Sequence, residues 1–400
     1  MKVSQPLQPA VWLLVFIAIL PQFSETVYAP ALPDIARYLN VKESVVEYTL
    51  SIYLFGIAVG TLLWGRLSDF VGRRPCLLYG VFIFIVGCIG CFHSTTIEIL
   101  MVSRFIQAVG GSTGSVLGQA IARDAFKGKE RGKVFSLVGS ALSFAPAIGP
   151  VLGGVIDETF GWAFIFLLLA LFGALVFFLS YKNLPETRVS SPQLKSVSMV
   201  GTFFALLKDK KVVACALFVG GIIGIMFSYY SEGSFYLIDI LGLSPKIYGT
   251  TFIFLALSGS LGALWARRLH NSLSTFRIME RGLTIFMMGT SLLLGGILLF
   301  TLLCAPNRWF VVLTVGSMMI LTFSASVVVP STLSIALEKY EHATGTASSF
   351  FGFFYYSIVS LVTFAMGALH NGTPFPMPIY FFLLSVVVYG IFGCILREKR

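Results

Sequence analysis

A chain of 400 residues that is 56% hydrophobic, 14% aromatic and only 12% charged lies outside the composition of soluble globular proteins, in which charged residues make up about a quarter. This balance excludes a soluble fold and marks an integral membrane protein. The net charge of +10 calls for no nucleic-acid partner, because a basic face lying against anionic lipid accounts for it.

Apolar runs of roughly 20 residues, each long enough to cross a hydrocarbon core of about 30 Å, recur twelve times: at 10–38, 44–66, 75–93, 97–123, 133–157, 161–182, 211–240, 247–268, 278–304, 308–338, 342–369 and 377–396. Backbone groups in lipid must be satisfied internally, and the alternation of barrel strands is missing, so these runs are expected to be helices. The first carries Pro21, Glu25 and Pro30 and no small-residue cleavage site, which reads as a retained helix. The polar interval after the sixth run has the Pro, Ser and Lys content of a linker, with a short amphipathic helix expected at 200–207. The expected fold class is therefore all-α, with twelve transmembrane helices in two six-helix halves: 1–182, a cytoplasmic linker at 183–210, and 211–400. With the amino terminus cytoplasmic, 23 of the 28 Lys and Arg fall on that side. Arg37, Lys42, Lys246 and Arg308 lie opposite, and Arg104 lies within a span. The positive-inside rule then places both termini in the cytoplasm.

The loop after the second run reads GRLSDFVGRRP, with Gly65, Asp69, Gly72, Arg73 and Arg74. Gly65 allows close helix approach, Gly72 permits a tight turn, and the alternating charges suit salt bridges at a helix-end gate. GALWARRLHNS, 197 residues further on after the eighth run, is a weak echo of it, in keeping with duplicated halves around a midplane site. The fourth run contains RFIQAVGGS, whose Arg104 must find acids, carbonyls or water, since an unpaired arginine costs at least about 2.5–3.5 kcal/mol on insertion scales. The fifth contains APAIGPVLGG, where Gly149, Pro150, Gly153 and Gly154 suit a kinked, closely packed hinge. In the seventh, Glu232 is an acid in lipid and so marks a cavity or pathway. Tyr229, Tyr230 and Tyr236 flank it, and these aromatics, with Tyr28, Tyr53 and Gln119, are the residues expected to line a substrate cavity. The run FFGFFYY at 350–356 reads mainly as packing surface.

These motifs resemble those of the major facilitator superfamily. GRLSDFVGRRP is similar to its signature loop between helices 2 and 3, and Arg104, Gln107 and Gly110 match its helix 4 motif. The resemblance implies the major facilitator fold, a contact of Asp69 with the start of helix 11, a pairing of the arginine with Asp124, and a role for Arg104 in proton coupling. APAIGPVLGG is similar to the motif that marks antiporters. SETVYAPALPDIARYL (24–39), ATGTASSFFGF (343–353) and LHNGTPFPMPI (369–379) resemble the bicyclomycin-resistance branch of drug:proton antiporters. Where that branch has an aspartate in its first helix, this chain has Thr26 and offers Glu25 one position earlier. That shift turns a helical side chain by about 100°.

The expected function is export of small amphipathic molecules across the inner membrane by proton antiport, with Glu25 and Glu232 as candidate coupling acids acted on by the charge of Arg104. The alternative is a dedicated transporter of a siderophore or metabolite, an importer included. A membrane enzyme is disfavoured by short loops and by the lack of a nucleophile–base constellation. The expected partners are a small-molecule substrate, protons and membrane lipid, with no nucleic acid, and the chain is expected to be a monomer. No cofactor is expected, since there is no phosphate-binding loop, and the four histidines (93, 270, 342, 370) are scattered in sequence.

Overall fold

The computed structural model describes residues 8–188 and 199–396, so parts of the expected linker and both chain ends lie outside the described residues. Helix α1 (Val11–Thr26) is interrupted because Pro30 and Pro33 cannot donate back to the preceding turn. The chain passes through a 3₁₀ turn at Ala29–Ala31 into α2 (Leu32–Leu39). Asn40, in the left-handed conformation at φ 52°, ends α2 in the way expected of a helix C-terminus. Helix α3 (Glu43–Val71) stops at Gly72, whose φ of 119° favours glycine, and α4 (Arg73–Phe92) starts at once.

Helix α5 (Ile97–Ala125) is capped by the Thr96 side chain, which accepts from Ile99 N. Helices α6 (Gly128–Phe160) and α7 (Ala163–Asn183) complete the first half. The expected amphipathic helix is α8 (Met199–Lys208). Asp209 then caps α9 (Lys210–Ser234), which widens into a π-helical turn at Phe235–Ile240. Helices α10 (Pro245–Leu269), α11 (Thr275–Leu302), α12 (Asn307–Ala336), α13 (Thr344–Leu369) and α14 (Pro376–Ile391) follow.

Among the described residues, eleven spans have the length and apolarity needed to cross a membrane on their own. The twelfth crossing is α5, equally long but diluted by Arg104, Gln107 and small residues. Several helices outrun the apolar segments that announced them. Thus α3 continues to Val71 and α6 begins at Gly128, because a helix does not have to end where the lipid does.

Each half has its own apolar core, built around Phe84, Leu117 and Phe166 in the first and around Phe218, Phe286 and Phe381 in the second. Ala29 packs into the second core and Phe235 into the first, so at the breaks in α1 and α9 each half inserts a buried residue into the other's core. Helix α3 packs along α13, and α6 along α10. Exposed side chains such as Phe82, Leu171, Leu261 and Leu361 form the outer surface, which suits lipid rather than water.

The bundle has a linker end, carrying the α3–α4 turn, and a far end, carrying the α9–α10 loop. At the far end the halves are joined by Arg37 of α2, which binds Asp239 of the second half at 2.7 Å. Glu158 also accepts from the Lys246 backbone N–H at 2.9 Å, and Gly154 presses against the Pro245 backbone. At the linker end α6 instead exposes Leu137 and Phe144.

Candidate functional site

Arg104 is completely buried, and no carboxylate lies within ion-pair distance of it among the described residues. Its Nη1 donates to Gln107 Oε1 at 2.6 Å, one turn along α5. The guanidinium lies over the ring of Tyr53 at 4.0 Å and of Tyr28 at 4.4 Å. Desolvated cation–π contacts reach about 2 kcal/mol each, which is the scale of the penalty for an arginine in lipid. The two rings therefore do much of what an acid would do. Tyr28 is fixed by its hydroxyl bond to Thr49 at 2.8 Å, and Tyr53 donates to the Pro21 carbonyl at 3.2 Å. Nε and Nη2 of Arg104 have no hydrogen-bond partner among the described residues.

Glu25 sits at the end of α1, 4% exposed, with no hydrogen bond or ion pair to any described residue. It interacts electrostatically with Arg104 and with Tyr53, Tyr230, Tyr355 and Tyr356. Tyr230, Tyr355 and Tyr356 are half-buried between the halves, so the end of FFGFFYY belongs to this polar centre, while Phe350 and Phe351 pack in the core. Of the other expected cavity residues, Tyr28 and Tyr53 serve Arg104, Tyr229 and Tyr236 are buried in the second core, and Gln119 is exposed on α5.

Glu232 lies elsewhere. Its Oε2 is 2.8 Å from His370 Nδ1, whose Nε2 is 2.6 Å from Glu43 Oε2, and Glu47 Oε1 approaches the same Nδ1 at 3.5 Å. Glu43 and Glu47 are on α3 of the first half, Glu232 is on α9, and His370 follows α13. Glu47 is six residues from Tyr53, about 9 Å along a helix, so this group is closer to the far end than Arg104 is. The sequence offered both Glu25 and Glu232 as acids acted on by the charge of Arg104; of the two, the fold sets Glu25 beside it. Glu43, Glu47 and His370 were not singled out from the sequence. Only the polarity of Glu43 and Glu47, one helical turn apart at the start of an apolar span, hinted at them.

The loop after α3 forms a compact ion network. Arg73 Nη1 binds Asp69 Oδ1 at 2.7 Å and Arg73 Nε binds Asp124 Oδ2 at 2.9 Å, the second pairing being the one the motif implies. Asp69 and Gly65 line one crevice with Thr346 and Ser349 at the start of α13, and a Cβ on Gly65 would collide with the Ser349 side chain. Glu186, at the start of the linker, accepts from the backbone N–H groups of Arg73 and Arg74 at 2.9 and 3.2 Å. A carboxylate at the first turn of α4 also suits the helix dipole. Arg74 donates to the Tyr181 carbonyl at 2.7 Å.

This arrangement matches a known sequence profile, that of the Major Facilitator Superfamily, over residues 14–363. The chain belongs to the major facilitator superfamily. An uncharacterized transporter of Rickettsia bellii is 34% identical over 395 residues, covering 96% of each chain. Multidrug resistance protein D of Escherichia coli is 28% identical over 85% of this chain and 84% of its own length. A bicyclomycin resistance protein homolog of Haemophilus influenzae is 26% identical over 90% and 89%. Among solved structures, the xylose transporter of Escherichia coli, partially occluded and inward open, shares the fold with a TM-score of 0.74 at 15% identity, over 97% of both chains. The protein is a transporter rather than an enzyme.

In this superfamily member the α6 motif packs against both halves. Cβ atoms on Gly149 and Gly153 would overlap Thr26 and the Val27 carbonyl at the end of α1. Gly154 faces Pro245, and Gly249 of α10 faces the Pro150 carbonyl. Replacing Asp69 by Asn is expected to impair transport while expression and substrate binding remain, the outcome for contacts that stabilise one conformation rather than the binding site. A loss of about 1.4 kcal/mol in that state shifts the conformational ratio tenfold. Transport assays on purified Asp69→Asn protein check this, and full-rate transport would show the loop to be purely structural.

Proposed function

We propose that this transporter exports small amphipathic molecules across a bacterial inner membrane in exchange for protons, with Glu25 as the coupling acid and Arg104 as its charged neighbour. The observation that carries the reading is the placement of Glu25: a carboxylate at the break of α1, almost fully buried, without a hydrogen bond, and under the influence of an arginine with two unused donors. Such a group is poised to exchange a proton as its surroundings change between conformations. The half-buried Tyr230, Tyr355 and Tyr356 around it offer apolar contact and cation–π attraction to an amphipathic or cationic guest. Relatives named for multidrug and bicyclomycin resistance support export as the direction. The deciding experiment reconstitutes the purified chain in vesicles, imposes a pH gradient, and follows a panel of lipophilic cations. Accumulation that collapses with the gradient supports the proposal, whereas accumulation indifferent to it rejects proton coupling.

The linker end is assigned to the cytoplasm, since 23 of the 28 basic residues lie there or on the tails. Cys304 is exposed in the α11–α12 loop at the far end. In intact cells, Cys304 and a cysteine introduced at Lys42 should react with a membrane-impermeant maleimide. Cysteines at Ser191 or Arg397, which lie outside the described residues, should react only after the membrane is opened. The reverse pattern would invert the topology.

A further inference from the structure

The group around His370 gathers three carboxylates from two halves of the molecule onto one imidazole. Glu47 is 0% exposed and, among the described residues, neither of its carboxylate oxygens has a well-formed hydrogen bond, with Glu232 and Ser231 its near polar neighbours. Glu232 is 1% exposed. Buried carboxylates placed together need a compensating cation, because each is costly in a low-dielectric site unless it is paired. Among the described residues no Lys or Arg forms an ion pair with any of the three.

We infer that Glu47, Glu232 and His370 Nδ1 form a binding site for a divalent transition-metal ion that ties the far ends of the two halves together. One ligand atom from each of these residues lies within 4.8 Å of the others, and Nδ1 stands 2.8 and 3.5 Å from the two carboxylates. Ligands held about 2.0–2.2 Å from a tetrahedral ion are roughly 3.3–3.6 Å apart, so the present spacings bracket what is needed. Two carboxylates and one imidazole are a donor set suited to zinc, with a fourth position left for water.

Glu43 strengthens the assignment. Its Oε2 is 2.6 Å from His370 Nε2, the nitrogen facing away from the ligand cluster. A carboxylate in that place fixes the tautomer that presents Nδ1 to a metal and raises its basicity. The side chain of Glu43 is 40% exposed, whereas Glu47 and Glu232 are buried, so solvent reaches the imidazole from the Glu43 side. Because the ligands come from α3 on one side and from α9 and the end of α13 on the other, the complete site exists only with the far end closed. Metal binding therefore favours that closed state.

The test is zinc binding to the purified full-length chain, with any affinity tag removed, by calorimetry and by thermal shift. One saturable equivalent is expected, with a rise in Tm. Binding should be lost in both Glu47→Gln and His370→Gln, and weakened about 10–100-fold in Glu43→Gln. Calcium, which does not favour imidazole, should not compete. Absence of saturable zinc binding in the unaltered protein overturns the inference and assigns the balancing charge to protons. Undiminished affinity in His370→Gln overturns it as well, by placing the metal elsewhere. Both readouts are independent of transport, so they stand whatever the substrate is.

Discussion

Glu25→Gln is expected to abolish uphill transport driven by a pH gradient while the variant still folds, and its affinity for substrate should become nearly independent of pH. The amide keeps the shape of the carboxyl group but cannot exchange a proton. Glu25 makes no hydrogen bond to a described residue, so the substitution breaks no network that holds the helices together. Its one cationic neighbour among the described residues is Arg104, already supported by Gln107, Tyr28 and Tyr53. Arg104→Ala should also abolish coupled transport, and it should cost stability by emptying the space between two rings. Arg104→Lys should keep only part of the activity, because an ammonium lacks the planar fork that stacks on Tyr53 while donating to Gln107. Measuring affinity against pH for Glu25→Gln, Glu232→Gln and the double variant separates the two acids. Persistence of the full pH dependence in Glu25→Gln would remove Glu25 from the coupling role.

The contrast between these two acids shows what was legible in the sequence. Both announced themselves as rare charges in apolar spans, and the physics of lipid made each a candidate. What they face depends on how α1, α3, α9 and α13 lie across the interface between halves, and no local pattern encodes that. His370 is 138 residues from Glu232 and 323 from Glu47 in the chain, so a scattered histidine was all a linear reading offered. The ion network after α3 was easier. Asp69 and Arg73 are one helical turn apart, and Asp124 came from a motif resemblance that the Arg73 contact realises. Glu186 was missed because it sits at the start of a polar linker, where an acid looks ordinary until the α4 N-terminus is seen beside it. Likewise the glycines of α6 signalled close packing, but which neighbours they touch emerged only from the fold.

Gly153→Leu is expected to block transport, and the comparison that makes the result interpretable lies on the same helix. At Gly153 even a Cβ would overlap the backbone carbonyl of Val27, whereas at Gly132 nothing lies within 4 Å of one. A backbone carbonyl cannot swing aside like the tip of a flexible side chain. The leucine must therefore drive α6 away from the break in α1, one residue pair from Glu25, and with it the neighbouring Pro150–Gly154 stretch that seals against α10. Overpacking of this kind typically costs about 1–3 kcal/mol, enough to shift a conformational ratio by about fivefold to more than a hundredfold. Gly149→Ala is the gentler variant. Its methyl group meets the Thr26 hydroxyl, which can rotate, and the Val27 backbone nitrogen only at 3.1 Å, a milder overlap than that with the Val27 carbonyl at Gly153, so the protein should fold and transport should fall only in part. Gly132→Leu should behave like the unaltered protein. Transport rates on monodisperse preparations of the three variants give the order, and equal rates for Gly153→Leu and Gly132→Leu would show that the α6–α1 contact takes no part in the transport cycle.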